Sequence, residues 1–463
     1  MLTEMRIENF KAWRDTGSLR LAPLTVLFGA NSAGKSSLGQ FLLMLKQTAQ
    51  SPDRSRVLHP GGDEKTPIDL GSYTDLIHRH ETTRNLKFEV AWKAPTPVGF
   101  ENALNKKQSM NADQFKFSCC IGMGEAAKLN CKDFTYTLMQ NEKTIEVHFG
   151  PHPSEPTKYD LAATGYKLKR KRGRGWSLPA ATRFYGFPDE VQAYFQNANF
   201  VSDLALELEK QLGRLLYLGP LREPPKRSYT WTGEEPESVG YRGEYAVLAA
   251  LSGAKRQLSA GVRKHRRKLQ THLAEWLKQL GLIHEFELVP IAAGRREYEV
   301  LLRQTPDSSP VKLPDVGFGV SQVLPVLVQC LCVRPHSTII MEQPEIHLHP
   351  SVQMGLADIF LETIRILEEG EDRCVQLIVE SHSEYLLRRL QRRIAEGVVS
   401  PDEVAIYFCR RQGEGSVMEE LRTNKHGAIE NWPADFFGDQ MDDVVARQMK
   451  ELEGHSQENP DAD

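Results

Sequence analysis

The stretch Leu24 to Ser37, LTVLFGANSAGKSS, constrains this chain more than any other: an apolar run, Leu24 to Phe28, breaks into a glycine turn and then into lysine and serine. Gly29 and Gly34 bracket Ala30, Asn31, Ser32 and Ala33, and Lys35 and Ser36 follow, which satisfies the G-x-x-x-x-G-K-[ST] pattern of a phosphate-binding loop. That pattern needs a strand in front and a helix behind. The apolar run is the strand, and Leu38, Phe41, Leu42 and Leu45, at helical spacing from Ser37 onward, mark the helix. The N–H groups of such a loop and helix start converge on an anion. Lys35 then reaches the β and γ oxygens of a triphosphate, and the Ser36 hydroxyl holds Mg²⁺.

A chain of 463 residues is long for one simple core, so two lobes are expected. With a net charge of −3 there is no global pull toward nucleic acid or membrane, and any such contact must come from a local patch. The chain has no long apolar run, and MLTEMRIENF lacks the apolar core of a signal peptide, so a cytoplasmic protein without membrane contact is expected. The seven cysteines include no C-x-x-C pair, which suits buried free thiols rather than a disulfide framework or a metal cluster.

Three later stretches bear on the loop. In DVGFGVSQVLPVLVQCLCV, a glycine turn at Gly317 and Gly319 feeds an apolar helix expected over Gln322 to Val333, with Ser321 as its N-cap and Pro325 in its first turn. In STIIMEQPEIHLHP, a buried strand, Thr338 to Met341, ends in Glu342, a carboxylate placed to orient the water shell of Mg²⁺. In CVQLIVESHSEYLLRRL, a strand Val375 to Val379 is followed by Ser381 and His382 and then a helix. Alternating strands and helices imply a largely parallel sheet, whose strand tips would bring Lys35, Glu342 and His382 together. His382 reads either as part of that site or as a helix cap, and His347 and His349 read as turn packing in preference to metal ligands.

Between Arg84 and Trp176 short β-rich segments (NLKFEVAW, QFKFSCCIG, DFTYTLMQN, KTIEVHFG) alternate with polar turns, as in an antiparallel sheet. It closes on the strongest basic run, Lys167 to Arg174, which is either a solvated hairpin tip or a contact for nucleic acid or an acidic partner. Helices are expected over Glu190 to Leu216, Glu244 to Leu251 and Arg263 to Leu280. No heptad pattern persists, which argues against a long coiled-coil arm.

Together these residues resemble the ABC-type ATPase cassette of SMC, RecF and OLD-like proteins, in particular the single-chain prokaryotic AAA-family ATPases that carry E-Q-P-E-x-H-L-H-P. The resemblance covers residues 1–80 and about 300–440. It implies an α/β fold: an ABC-type P-loop head split into residues 1–80 and 301–445, with a β-rich lobe (about 81–180) and a helical segment (about 181–300) inserted, and a charged tail at 446–463. It implies ATP and Mg²⁺ as cofactors and two copies sandwiching the nucleotide. The loop from Gly29 to Ser37 would bind in cis, Gly319 and Ser321 of the other copy would cap the γ-phosphate, Glu342 would hold Mg²⁺ through water, and His382 would sense the γ-phosphate. The residue after the acid is Gln343 where a glutamate is usual, and glutamine cannot accept a proton. Either Glu345 or a water network replaces it, or turnover is slow and ATP acts as a switch. No Q-loop glutamine is apparent. The resemblance further implies a sensor or scaffold that controls a separately encoded effector in antiphage defence, or else a RecF-like clamp on DNA. Too few residues follow His382 for a nuclease domain, and Asp439, Asp442 and Asp443 lack a second acidic cluster.

Overall fold

The computed structural model describes residues 1–62, 66–100, 110–124, 128–140, 143–152, 154–173, 177–261 and 264–433. Its centre is a six-stranded sheet in the order Leu215–Leu218, Thr338–Glu342, Gln376–Glu380, Leu24–Gly29, Val404–Gln412, Gly415–Glu420. Strand contacts are parallel except for the final hairpin. Every residue of Thr338–Glu342 and Gln376–Glu380 is buried, as expected of strands covered on both faces.

The alternation of side chains divides this sheet cleanly. Leu24, Val26, Phe28, Ile339, Met341, Leu377 and Val379 point into one apolar core, and Leu27, Ile340 and Ile378 into another. The first core is closed by the helices Phe318–Cys332, Pro350–Thr363 and Glu384–Ala395. The second is closed by the phosphate-loop helix, Lys35–Gln50, which lies so close to the sheet that a Cβ on Gly39 would sit 2.9 Å from Ile340 Cγ2.

Behind that helix stands an eight-stranded antiparallel sheet in the order Trp13–Asp15, Leu2–Phe10, Leu86–Phe100, Met110–Met123, Leu129–Gln140, Lys143–His152, Glu155–Thr164, with Leu19–Arg20 also on Leu2–Phe10. Phe88, Phe117, Phe134 and Phe149 run across it with ring centroids 6.0, 6.0 and 5.3 Å apart. Phe41 of the loop helix wedges between Phe10 and Phe88 at 5.2 and 5.1 Å, so this sheet is the bed on which the helix rests.

Several elements depart from the sequence reading. The glycine-turn helix begins at Phe318, capped by Gly317 with no side-chain bond, so Ser321 is not the N-cap. Its hydroxyl instead donates back to Phe318 O at 2.8 Å, inside the first turn, and Pro325 lies in the helix interior. The helix expected from Arg263 begins at Leu269, because Arg267–Lys268 pairs with Gln257–Ser259. The helical stretch expected over Glu190 to Leu216 is two helices, Glu190–Tyr194 and Phe200–Gly213, and the strand Leu215–Leu218. The strand Glu155–Thr164 carries too little apolar alternation to be legible beforehand.

The basic run is not a free hairpin tip. Lys169 and Lys171 pair by backbone with Gln196 and Tyr194, and the Asn197 side chain clamps Lys167 and Lys169. Arg170 pairs with Asp160 and stands 5.4 Å from the Phe195 ring centre, while Lys167, Lys169 and Arg172 are exposed. Arg174 and Trp176 lie outside the described residues.

Candidate functional site

Gly29 ends the loop strand at φ 139°, where a Cβ would stand 2.0 Å from Cys409 O, so only glycine allows the neighbouring strand this close. Gly34, at φ 88°, turns the chain into the helix. Here the structure adds a residue that sequence reasoning missed. The buried Trp13 donates through Nε1 to Ser37 Oγ (2.8 Å) and Gly34 O (3.1 Å), bracing the loop from behind. Lys35 is 3% exposed; its Nζ donates to Gly29 O (2.9 Å) and Ala30 O (2.8 Å), which curls the loop around the ammonium. Burial lowers its pKa, against the opposing pull of Glu380 and Glu345. Asn31 and Ser32 are exposed at the crest.

Parallel register brings the carboxylates together. Glu342 pairs laterally with Glu380, and Glu380 with Leu27, so two buried acids stand side by side at the strand ends beside the loop. Glu380 was not singled out from sequence; in QLIVESHS it reads as the last residue of a strand, and only the register discloses its place. Its carboxylate accepts from the Ser36 hydroxyl. Glu342 is pushed up to about 7, by burial first and then by the Glu380 charge, while the Tyr217 hydroxyl bonds to it. Glu380 is also raised, by burial. One oxygen of each, Glu342 Oε1 and Glu380 Oε2, has no hydrogen-bond partner among the described residues. Two buried like charges with unused oxygens beside a serine hydroxyl fit a hard divalent cation. Among the described residues no group of three or more His, Cys, Asp or Glu could hold a metal by itself.

Past Glu342 the backbone peels away. Gln343 adopts φ 45° and donates its N–H to Glu380 O at 2.9 Å, and its side chain is half-buried. Glu345 returns inward, 6% exposed, with Oε1 accepting from the His382 N–H at 2.6 Å and Oε2 without a hydrogen-bond partner among the described residues. Burial raises its pKa. His382 is exposed, and burial of part of the ring together with Lys35 lowers its pKa. It is not the cap of the following helix, since Ser383 accepts from Leu386 N. His349 caps Pro350–Thr363, and His347 meets Phe318 edge-on at 5.4 Å.

Lys35, Ser36, Glu342, Glu345 and His382 therefore share one sheet edge. Gly317, Gly319 and Ser321 lie in the turn that opens the helix Phe318–Cys332. Among the described residues no hydrogen bond, ion pair or ring contact joins that turn to Gly29–Ser37; Ser321 lines a small cleft with Glu223, Lys226 and Gly243. Phe318 beside it is 60% exposed. Asp439, Asp442 and Asp443 lie outside the described residues.

A parallel sheet with a phosphate-binding loop and paired acids at its carboxyl edge defines the P-loop ATPase class. More narrowly, residues 177–388 match the family described as "AAA domain, putative AbiEii toxin, Type IV TA system", and residues 399–446 one described as "Protein of unknown function (DUF3696)". Over residues 177–388 the chain is thus similar to an AAA-domain family described by a toxin–antitoxin system. No curated protein sequence matches it. Similar solved structures include an SMC head bound to the C-terminal winged-helix domain of ScpA (TM-score 0.45, 9% identity, 92% of this chain and 98% of that one). Others are the SMC head domain from Thermotoga maritima (0.40, 8%, 91% and 99%) and an SMC head with an extended coiled coil bound to the C-terminal domain of ScpA from Pyrococcus furiosus (0.37, 10%, 97% and 99%). Among the described residues no helix is long and apolar enough to cross a membrane.

Proposed function

We propose that this chain binds ATP with Mg²⁺ and hydrolyses it slowly, so that the ATP-bound state works as a switch. The observation that carries the reading is the strand edge where Lys35, Ser36, Glu342 and Glu380 meet while the residue after the acid is Gln343. Lys35 and the loop amides hold the β and γ phosphates; Ser36, with Glu342 and Glu380 acting through water, holds Mg²⁺, which when bound neutralises charge on the phosphates. Gln343 orients water through its amide but takes no proton, and Glu345 is tied through Oε1 to the His382 backbone. His382 reports on the terminal phosphate.

Two copies close head to tail, with Gly319 and Ser321 of each facing the loop of the other. What supports this is the exposed Phe318 beside that turn. The ATP-bound assembly holds or activates a separately encoded effector, such as a nuclease, in antiphage defence; the match of residues 177–388 to a family described as an AAA domain of a toxin–antitoxin system supports a role beside a separate partner. The alternative, a RecF-like clamp on DNA, draws on the exposed Lys167, Lys169 and Arg172.

Single-turnover hydrolysis tests the switch. Gln343→Glu is expected to hydrolyse ATP roughly 10²-fold faster, the scale of general-base help, and to shorten the ATP-bound state. A fast wild-type turnover that collapses in Glu345→Gln with Gln343 intact would overturn it and move the base to Glu345.

A further inference from the structure

The strand Leu215–Leu218 flanks Thr338–Glu342, and the turn after it, Gly219-Pro220-Leu221-Arg222, passes over the same sheet edge as the loop. Arg222 is 7% exposed, and none of Nε, Nη1 or Nη2 has a hydrogen-bond partner among the described residues. Tyr217, Glu345 and Glu342 act on it electrostatically. Had it evolved as their counter-ion, a guanidinium would dock on a carboxylate through two parallel bonds. Among the described residues Glu342 Oε1 and Glu345 Oε2 have no hydrogen-bond partner either, so a buried cation and two buried acids that act on it all keep bonding capacity to spare.

The turn that carries Arg222 is held in place. Gly219 N donates to Tyr241 O and Glu223 N to Arg242 O, both at 2.8 Å, and a Cβ on Gly219 would lie 3.1 Å from the Tyr217 hydroxyl. An unpaired guanidinium buried on a fixed turn is not a surface side chain folded inward by chance. Burial lowers its pKa to about 10, and Tyr217, Glu345 and Glu342 pull the other way.

We infer that Arg222 binds the terminal phosphate of ATP in cis and makes the site distinguish ATP from ADP. This rests on the nucleotide-site reading above. Sheet order decides which phosphate it meets. Leu215–Leu218 lies three strands from Leu24–Gly29, roughly 14 Å at the usual strand spacing, with the Glu342 and Glu380 strands between. The loop amides and Lys35 therefore approach the β and γ phosphates from one side. Arg222 stands on the other side, beside the acids, and its planar fork suits phosphoryl oxygens better than an ammonium does.

The test compares Mg·ADP and Mg·ATPγS binding by titration in wild type, Arg222→Gln, Arg222→Lys and Lys35→Ala, with thermal unfolding of each protein without nucleotide. Arg222→Gln is expected to bind ADP within threefold of wild type, to bind ATPγS at least tenfold more weakly, and to unfold at the same or a higher temperature, since an unpaired buried charge has gone. Arg222→Lys should lie between, and it reports the same ADP-to-ATPγS split if Arg222→Gln does not fold. Equal losses for both nucleotides, no loss for either, or a lowered unfolding temperature with both affinities unchanged would overturn the assignment. Lys35→Ala should lose both nucleotides. If it keeps both, the nucleotide site itself is misplaced, a failure distinct from that of Arg222.

Discussion

At the scale of single residues the site is a balance of buried charges, and its pH response follows. Burial and the Glu380 charge disfavour ionisation and push the Glu342 carboxyl up to about 7 from an ordinary value of 4.5. A folded pKa above the unfolded one contributes stability that is complete below the unfolded value and is lost as pH rises through the folded one. The nucleotide-free protein should therefore lose stability between about pH 4.5 and 7, on the order of 3 kcal/mol from Glu342, with Glu380 and Glu345 acting in the same direction. Denaturant unfolding at pH 5 and pH 7.5 should show a smaller fall in Glu342→Gln; an equal fall in both proteins would show that Glu342 does not carry it. Trp13 makes a second residue-level prediction. Trp13→Phe keeps a ring but loses the bonds to Ser37 and Gly34, and about 1 kcal/mol of lost loop support should weaken ATP binding roughly fivefold. Unchanged affinity would make Trp13 simple core. The loop itself was legible from sequence because its glycines, Lys35 and Ser36 are each the residue type that their position demands. Glu380, Trp13 and Arg222 were not, because they reach the site through strand register and long-range contact, which no local pattern encodes.

At the scale of elements, the helix Phe318–Cys332 shows how the glycine turn is held. Its C-terminal carbonyls are taken by two guanidinium groups. Arg373, 1% exposed, donates to Cys330 O (3.2 Å) and Val333 O (2.6 Å), and Arg256 donates to Cys332 O (2.5 Å) and Val333 O (3.2 Å) while paired with Glu368 at 2.7 Å. Positive charge at that end also opposes the helix dipole. Arg373→Ala should cost about 3 kcal/mol, since it breaks a buried charged network and frees carbonyls, and should appear as a lower denaturation midpoint with ATP affinity of the folded protein retained. A loss below 1 kcal/mol would show that Arg256 alone suffices. The apolar content of this helix and of the two acid-bearing strands was plain beforehand, because burial on all sides leaves no polar face to confuse the pattern. Its start was misread: Ser321 is a common cap, but a flexible glycine turn let the helix begin earlier, at Phe318.

At the scale of the whole molecule, the antiparallel sheet begins with Leu2–Phe10, ahead of the phosphate loop in sequence, and ends at the basic strap. Phe10 and Phe88 of that sheet pack against Phe41 of the loop helix. If the strap meets a polyanion, serine at Lys167, Lys169 and Arg172 should reduce duplex DNA binding and flatten its log–log salt dependence by roughly 0.9 per lost phosphate contact. Identical binding would leave those cations as a solvated surface. On the proposed function two copies close head to tail around ATP. Lys35→Ala removes the cis half of a composite site, and Ser321→Arg blocks the half offered in trans, so each alone should be inactive. Mixed, they should form heterodimers with one intact site and regain ATP hydrolysis as the mixing ratio approaches one to one. No recovery at any ratio, with both variants folded by thermal unfolding, would contradict the head-to-tail switch.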